Sequence, residues 1–192
     1  MSNVVADMSV SLDGFVADRR DGVEDVFAWY GKQQPEQSPR EPAGEADAMG
    51  VGVIVYGRRT FELAHGWDGR HPTGAPVVVL THSVPEGWPR PGSTVSFDTT
   101  GIESAMATAG KIAGDKVIAL GSPSIIQQCL ALGLVDRIQV KVVPILLGDG
   151  VRMFGALATA PVELGNPVVS EGNGVTHLYY DVAPARDVAA PM

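Results

Sequence analysis

Two short stretches place glycine, hydroxyl and basic residues where an anion could be held. The first is Val53-Ile54-Val55-Tyr56-Gly57-Arg58-Arg59-Thr60, the second Val117-Ile118-Ala119-Leu120-Gly121-Ser122-Pro123-Ser124. In each, an apolar run that suits a buried strand delivers the chain to a glycine that opens a helix. Uncommitted N–H groups and the helix dipole at such a junction suit a phosphate, and crevices at strand ends are where open sheets bind ligands. Arg58 and Arg59 add the charge an anion would use. Glycine also makes tight turns in many strand-to-helix units, so these features alone leave a nucleotide-phosphate site and a plain turn both open.

Other chemistries find less support. Gly50-Val51-Gly52 precedes a strand instead of following one, so it is no dinucleotide fingerprint, and there is no Walker loop and no Gly-x-Ser-x-Gly elbow. His65, His71, His82 and His177 lack helical metal spacing, and no metal is expected. Cys129, the one cysteine, sits in an apolar helical stretch and reads as a packed core thiol.

The elements that must position these residues follow from periodicity. Val4 to Leu12 alternates as a strand, with Val4, Ala6, Met8, Val10 and Leu12 on one face and Asp7, Ser9 and Ser11 on the other. Val23 to Tyr30 reads as a helix burying Val23, Val26, Phe27 and Tyr30, with Glu24 and Asp25 in its first turn. Residues 32–45 carry three prolines and read as an exposed loop or lid, and a short helix could resume over 43–49. Strands are expected at 51–56, 76–80, 94–97, 116–120 and 137–143, and helices from Gly57 to about His65, over 102–113 and from Gly121 to Leu132. Pro161 to Glu171 and Val175 to Val182 suit an antiparallel pair turned at Gly172-Asn173-Gly174. The tail, 184–192, should fray. Alternation followed by a terminal strand run predicts one α/β domain over 1–192, a mainly parallel sheet with helices on both faces and an antiparallel C-terminal edge.

Composition narrows the function classes. The 192 residues carry 14 Lys plus Arg against 22 Asp plus Glu, a net charge of −8, with 45% hydrophobic and 19% charged residues. That balance is globular, and the negative charge argues against nucleic-acid binding. One cysteine excludes a disulfide framework. The N-terminus lacks the basic region of a signal peptide and no apolar run approaches a membrane span, so a soluble, cytoplasmic protein is expected.

Four motifs in order resemble the dihydrofolate reductase-like family, specifically the C-terminal reductase domain of bacterial bifunctional riboflavin-biosynthesis enzymes. They are Ser11-Leu12-Asp13-Gly14-Phe15-Val16-Ala17, the Gly57-Arg58-Arg59-Thr60 helix start, the Gly121-Ser122 junction, and Leu132-Gly133-Leu134-Val135-Asp136 through Leu147-Gly148-Asp149-Gly150 to Phe154. The resemblance implies a three-layer α/β/α sandwich and an NADPH-dependent reductase acting on a small heterocyclic or ribosylamine-type substrate. It implies that Gly57, Arg58, Arg59 and Thr60, with Thr81, His82 and Ser83, contact the 2′-phosphate and pyrophosphate. By the same likeness Gly121, Ser122, Pro123, Ser124 and Ile125 hold the pyrophosphate, Ser9 lies near the nicotinamide, and Asp13 stands at the cleft rim. Asp13 or Asp25, or an ordered water, is then the candidate proton source.

The chain departs from the family pattern in three places. Ser122-Pro123 replaces the second glycine of the glycine pair, the cysteines of a zinc deaminase are missing, and the substrate-phosphate arginines have no clear match. A nucleotide-binding module without catalysis, dihydrofolate reductase-type activity and an interaction role therefore stay open. A homodimer is expected, because Ile138, Val140, Val142, Ile145, Val168, Leu178 and Tyr180 supply more apolar surface at the antiparallel side than a small helix layer would cover. A monomer in which Ile145 to Phe154 folds back over that side is the alternative.

Overall fold

The computed structural model describes residues 2–30, 50–155, 157–158 and 161–183. The expected lid at 32–45, the short helix at 43–49 and the frayed tail at 184–192 lie outside them.

The eight-stranded sheet is built from β1 (Val4–Ser11), β3 (Val51–Gly57), β4 (Val77–Leu80), β5 (Val95–Asp98), β6 (Val117–Leu120), β7 (Arg137–Val143), β9 (Val168–Gly172) and β10 (Val175–Asp181). Its order is β5-β4-β3-β6-β1-β7-β10-β9. The strands from β5 to β7 run parallel, and β10 and β9 close one side antiparallel. A separate ribbon pairs β2 (Phe15–Ala17) with β8 (Val151–Arg152). The helices are α1 (Glu24–Phe27), α2 (Arg58–Leu63), α3 (Ile102–Ala113) and α4 (Pro123–Ala131).

The two faces of the sheet differ in chemistry. On one, Val4, Ala6, Met8 and Val10 of β1 join Val53, Val55, Val78, Ile118, Leu120, Ile138 and Val140 in the main core. Ala105, Met106 and Ala109 of α3, with Ile126 and Cys129 of α4, cover that face. Burying side chains of this size contributes roughly 1.5–3 kcal/mol each, so this layer anchors the sheet. The opposite face carries Asp7, Ser9 and Ser11 of β1 in register with Gln139, Lys141 and Val143 of β7; Gln139 and Lys141 in turn pair with Tyr179 and His177 of β10, and Val143 packs in one cluster with Val175. Ser9, Ser11, Gln139, Lys141 and His177 are all buried, so this is a polar face under cover. Val26 and Trp29 pack on part of it.

Several expectations change. Leu12 is 67% exposed, because β1 ends at Ser11 and the backbone turns for the Leu12 N–H to reach the Ile145 carbonyl. The expected helix over 23–30 is a single turn that buries Val26 and Trp29, leaving Phe27 and Tyr30 outside. The expected long strand over 161–171 is ordered as a strand only from Val168, with one bridge between Leu164 and Val182 before it. The turn into β10 has positive φ at both Asn173 and Gly174, which matches the twist of the flanking strands.

Of the apolar residues expected to need a second subunit, Val168 lies on an edge strand, whereas those of β7 and β10 do not. β7 lies inside the sheet between β1 and β10, and Ile138 and Val140 belong to the core of the same subunit. The edge strand on the antiparallel side is β9, where Val168 and Val169 are about half exposed.

After α2 the chain makes a left-handed turn over His65–Gly69, with φ of 49° at His65, 47° at Trp67 and 50° at Asp68. Such a conformation costs about 1–2 kcal/mol per non-glycine residue. Packing of the Trp67 ring against Tyr56 at 4.7 Å and Phe61 at 6.2 Å offsets that cost.

Candidate active site

All the parallel strands end on one side, so β3 and β6, neighbours in the sheet, place their two junctions next to each other. Ser122 joins them. Its Oγ accepts the Gly57 N–H at 3.0 Å and lies 2.7 Å from Thr60 Oγ1. The residue that departs from the family glycine pair is thus a clasp between the two helix starts. Ser122→Gly, which restores the second glycine, is expected to destabilise the fold by about 1–3 kcal/mol by leaving the Gly57 N–H without its acceptor. Thermal melts of the variant check this; an unchanged midpoint would remove the clasp.

Close approach requires a glycine at 121 and favours one at 57. A Cβ on Gly121 would lie 2.2 Å from Tyr56 Cε1, and one on Gly57 would lie 3.1 Å from Ser124 Oγ. Pro123 takes the first position of α4, where its missing N–H is no loss.

Arg58 and Arg59 point to different partners. The Arg58 guanidinium donates to Glu62 Oε1 at 2.6 Å and to the Ser83 carbonyl at 2.8 Å, which lays it across the end of β4 beside Thr81. Thr81 Oγ1 donates to the same carbonyl at 2.9 Å. Arg59 is ion-paired with Asp21. His82 is exposed beside Thr81 and Ser83. The structure therefore brings Arg58, Thr81, His82 and Ser83 together and turns Arg59 toward the loop before α1.

Other expected site residues sit differently. Ser9 is 2% exposed, and Trp29 Nε1 donates to its Oγ at 3.1 Å, so its hydroxyl is closed off under the indole. The Ile125 side chain is in the main core, and its N–H donates to the Ser122 carbonyl. Asp25 is exposed in the one-turn α1.

Asp13 is a loop anchor. Its carboxylate accepts from Ser11 Oγ at 2.6 Å and from the backbone N–H groups of Leu147 at 3.1 Å and Gly148 at 2.7 Å. The Ser11 hydrogen bond, helped by the two backbone donors, holds its pKa below the ordinary value of 3.8. A carboxylate so held stays ionised at neutral pH and does not fit a proton donor. A depressed folded-state pKa stabilises the fold above the unfolded value and ceases to do so as pH falls through the folded one. Asp13→Asn should therefore be less stable than wild type at about pH 7, with the gap closing below about pH 4. Urea melts at both pH values test this, and a gap that survives acidification would contradict it.

The sequence reading missed the centre of the polar face. There Lys141 of β7 is ion-paired with Asp7 of β1. The signal was available as alternate polar residues in two strands, Asp7 and Ser9 in one, Gln139 and Lys141 in the other. Nearby, Tyr56 Oη lies 3.1 Å from His71 Nε2, and His71 Nδ1 lies 2.8 Å from Thr73 Oγ1. Burial, then the charge of Asp7, pushes the Tyr56 pKa up, and burial pulls that of His71 down, so both are neutral in this environment. Burial also pushes the Cys129 thiol up to about 12, which leaves it inert as a nucleophile. Among the described residues no helix is long and apolar enough to cross a membrane.

A search of curated protein sequences found no match. Solved structures did match. A Shewanella protein assigned to riboflavin biosynthesis is 25% identical with a TM-score of 0.71, covering 95% of this chain and 99% of its own. The Thermotoga maritima diaminohydroxyphosphoribosylaminopyrimidine deaminase/5-amino-6-(5-phosphoribosylamino)uracil reductase is 14% identical with a TM-score of 0.63 over 95% of this chain, which spans 57% of that longer protein. Dihydrofolate reductase from Enterococcus faecalis, complexed with NADP(H), has 18% identity and a TM-score of 0.58, covering 95% of this chain and 96% of its own. These last two show the fold, a three-layer α/β/α sandwich of the dihydrofolate reductase type. The model of the RibD C-terminal domain matches residues 2–164; with the glycine junctions and the late loop in place, the chain belongs to that family, the reductase domain of the riboflavin pathway.

Proposed function

We propose that this chain is an NADPH-dependent reductase that delivers a hydride to a small heterocyclic or ribosylamine-type substrate, with 5-amino-6-(5-phosphoribosylamino)uracil as the first candidate. The observation that carries the reading is the pair of glycine junctions clasped by Ser122 beside Arg58 at the strand ends. The donor set fits the cofactor: the Arg58 guanidinium, fixed by Glu62 and the Ser83 carbonyl, and the exposed His82 stand at the strand ends beside the two glycine junctions. Arg58, Thr81 and His82 would hold the 2′-phosphate, and Thr60, Ser122 and Ser124 the pyrophosphate. When bound, the cofactor supplies the hydride. The protein's part is to orient it over the polar face and to exclude water there.

Purified protein, NADPH and the uracil, generated in place by a separate deaminase, test the reading. Loss of NADPH absorbance with formation of the reduced product supports it. An unchanged NADPH fluorescence on mixing overturns it, and binding without oxidation favours the module without catalysis.

The enzyme would act in the cytoplasm as a homodimer, paired through the exposed side of β9, where Val168 and Val169 stand about half exposed. Light scattering decides between twice the monomer mass and the monomer mass. A lysine at Val169 should dissociate the pair; a charge at Val140 would instead strike the subunit's own core.

A further inference from the structure

The polar face carries charged groups that the cofactor reading does not use. The Lys141 side chain is 11% exposed and that of Asp7 31%, so the ion pair is roofed but opens to solvent on the Asp7 side. Lys141 is the register partner of Ser9, whose hydroxyl is capped by Trp29. The rings of Trp29 and Tyr30 stack at 4.0 Å beside it. Facing Lys141 are Asp7 from β1, Tyr30 from the turn after α1, and His177 and Tyr179 from β10, with Tyr56 of β3 facing Asp7 and Tyr30. A buried ion pair adds little stability over apolar side chains of the same volume, so stability alone is a weak reason for a lysine here.

Resting on the reductase reading, we infer that the Lys141 ammonium touches the substrate and stabilises the electron pair that hydride addition leaves on its oxygen or nitrogen, with Asp7 as its positioning residue. Hydride addition to the carbon of a C=O or C=N bond forms a C–H bond and breaks the π bond. The pair from that bond moves to the heteroatom, and the reduced nicotinamide is oxidised. A proton passes from Lys141 Nζ to the heteroatom, and the amine recovers one from solvent. Burial alone would lower the Lys141 pKa, but the charge of Asp7, then that of Tyr30 and the Asp7 hydrogen bond, outweigh that and hold it above the ordinary value. The ammonium is therefore present across the neutral range. Asp13, kept ionised by three donors, does not compete as a proton source.

The test uses the full chain with NADPH and 5-amino-6-(5-phosphoribosylamino)uracil. Lys141→Met should lower kcat about 100-fold or more, while the NADPH dissociation constant changes by less than about twofold. Lys141→Arg should restore part of the loss. Asp7→Asn should move the alkaline limb of the kcat profile down by about one pH unit or more, a shift that a merely structural role would not produce. Lys141→Met can fail to fold, because it leaves a charge unpaired. The double variant Asp7→Leu/Lys141→Met removes both charges, and if it folds, binds NADPH and is inactive, the inference stands. A double variant or Lys141→Met with near wild-type kcat overturns the inference alone, and an unmoved Asp7→Asn profile overturns the part of Asp7. Wild type that binds NADPH but leaves the uracil unreduced overturns the inference together with that substrate, and wild type that binds no NADPH overturns the whole reductase reading.

Discussion

Gly121→Ala is expected to lose about 3 kcal/mol of stability and most of the cofactor affinity, whereas Gly110→Ala should gain about 0.5–1 kcal/mol. The two substitutions add the same methyl group. At Gly121 it would lie 2.2 Å from Tyr56 Cε1 and within 3 Å of two further ring atoms. The ring cannot swing aside. It is packed against Trp67 at 4.7 Å and hydrogen-bonded through its hydroxyl to His71. Relief must come from the backbone of the β6–α4 junction, where the Gly121 N–H holds the Val55 carbonyl and Ser122 holds Gly57. A shift there moves the surface that would receive the pyrophosphate. At Gly110, inside α3, nothing lies within 4 Å of the added Cβ, and only the lower helix propensity of glycine is repaired. Chemical denaturation of the two variants, with NADPH fluorescence titrations, checks both signs. A Gly121→Ala protein as stable as wild type would show that the junction can relax and would remove the close-approach argument.

What the sequence allowed to be read follows from where burial acts. Val53 to Val55 and Val77 to Val79 are apolar without interruption because both sheet faces are covered there, and that pattern needs no tertiary knowledge. The glycine junctions were legible for the same local reason. The α1 face was not: in a single turn, Val26 and Trp29 are as well spaced as Phe27 and Tyr30, and only the position of Ser9 beneath Trp29 decides which pair goes in. The left-handed turn at 65–69 has no local signal beyond Gly66 and Gly69. His65, Trp67 and Asp68 accept positive φ because Trp67 is fixed between Tyr56 and Phe61. Asp13 was legible from its motif but its anchoring of the late loop was not, since its carboxylate accepts from N–H groups 134 and 135 residues away. The Asp7–Lys141 pair is likewise separated by 134 residues. Each residue alone looks like an ordinary polar position on a half-covered strand, and only the register of β1 against β7 brings the charges together.

Arg58→Ala is expected to weaken NADPH binding about tenfold to hundredfold and to leave NADH nearly unchanged, because a charge-assisted contact to a 2′-phosphate contributes about 1.5–3 kcal/mol. The geometry singles out Arg58 over its neighbour. Its Nε and one terminal nitrogen are occupied by Glu62 and the Ser83 carbonyl, which fixes the guanidinium plane against the end of β4 and leaves Nη2 to reach outward. Pre-positioning of this kind means that little side-chain freedom is lost when an anion arrives. Glu62 moderates the charge without cancelling it at an exposed site, where an ion pair contributes at most about 1 kcal/mol. Arg59 is already committed to Asp21 on the other side of α2, so Arg59→Ala should change NADPH affinity by a factor of about five or less. The wild-type preference for NADPH over NADH should also shrink as ionic strength rises, since the added interaction is one of charge at a partly exposed site. Parallel titrations of both cofactors against wild type, Arg58→Ala and Arg59→Ala, at low and high salt, decide the matter. Equal affinity of the wild type for NADPH and NADH would end the 2′-phosphate reading, and a larger loss in Arg59→Ala than in Arg58→Ala would move the phosphate to the Asp21 side of the helix.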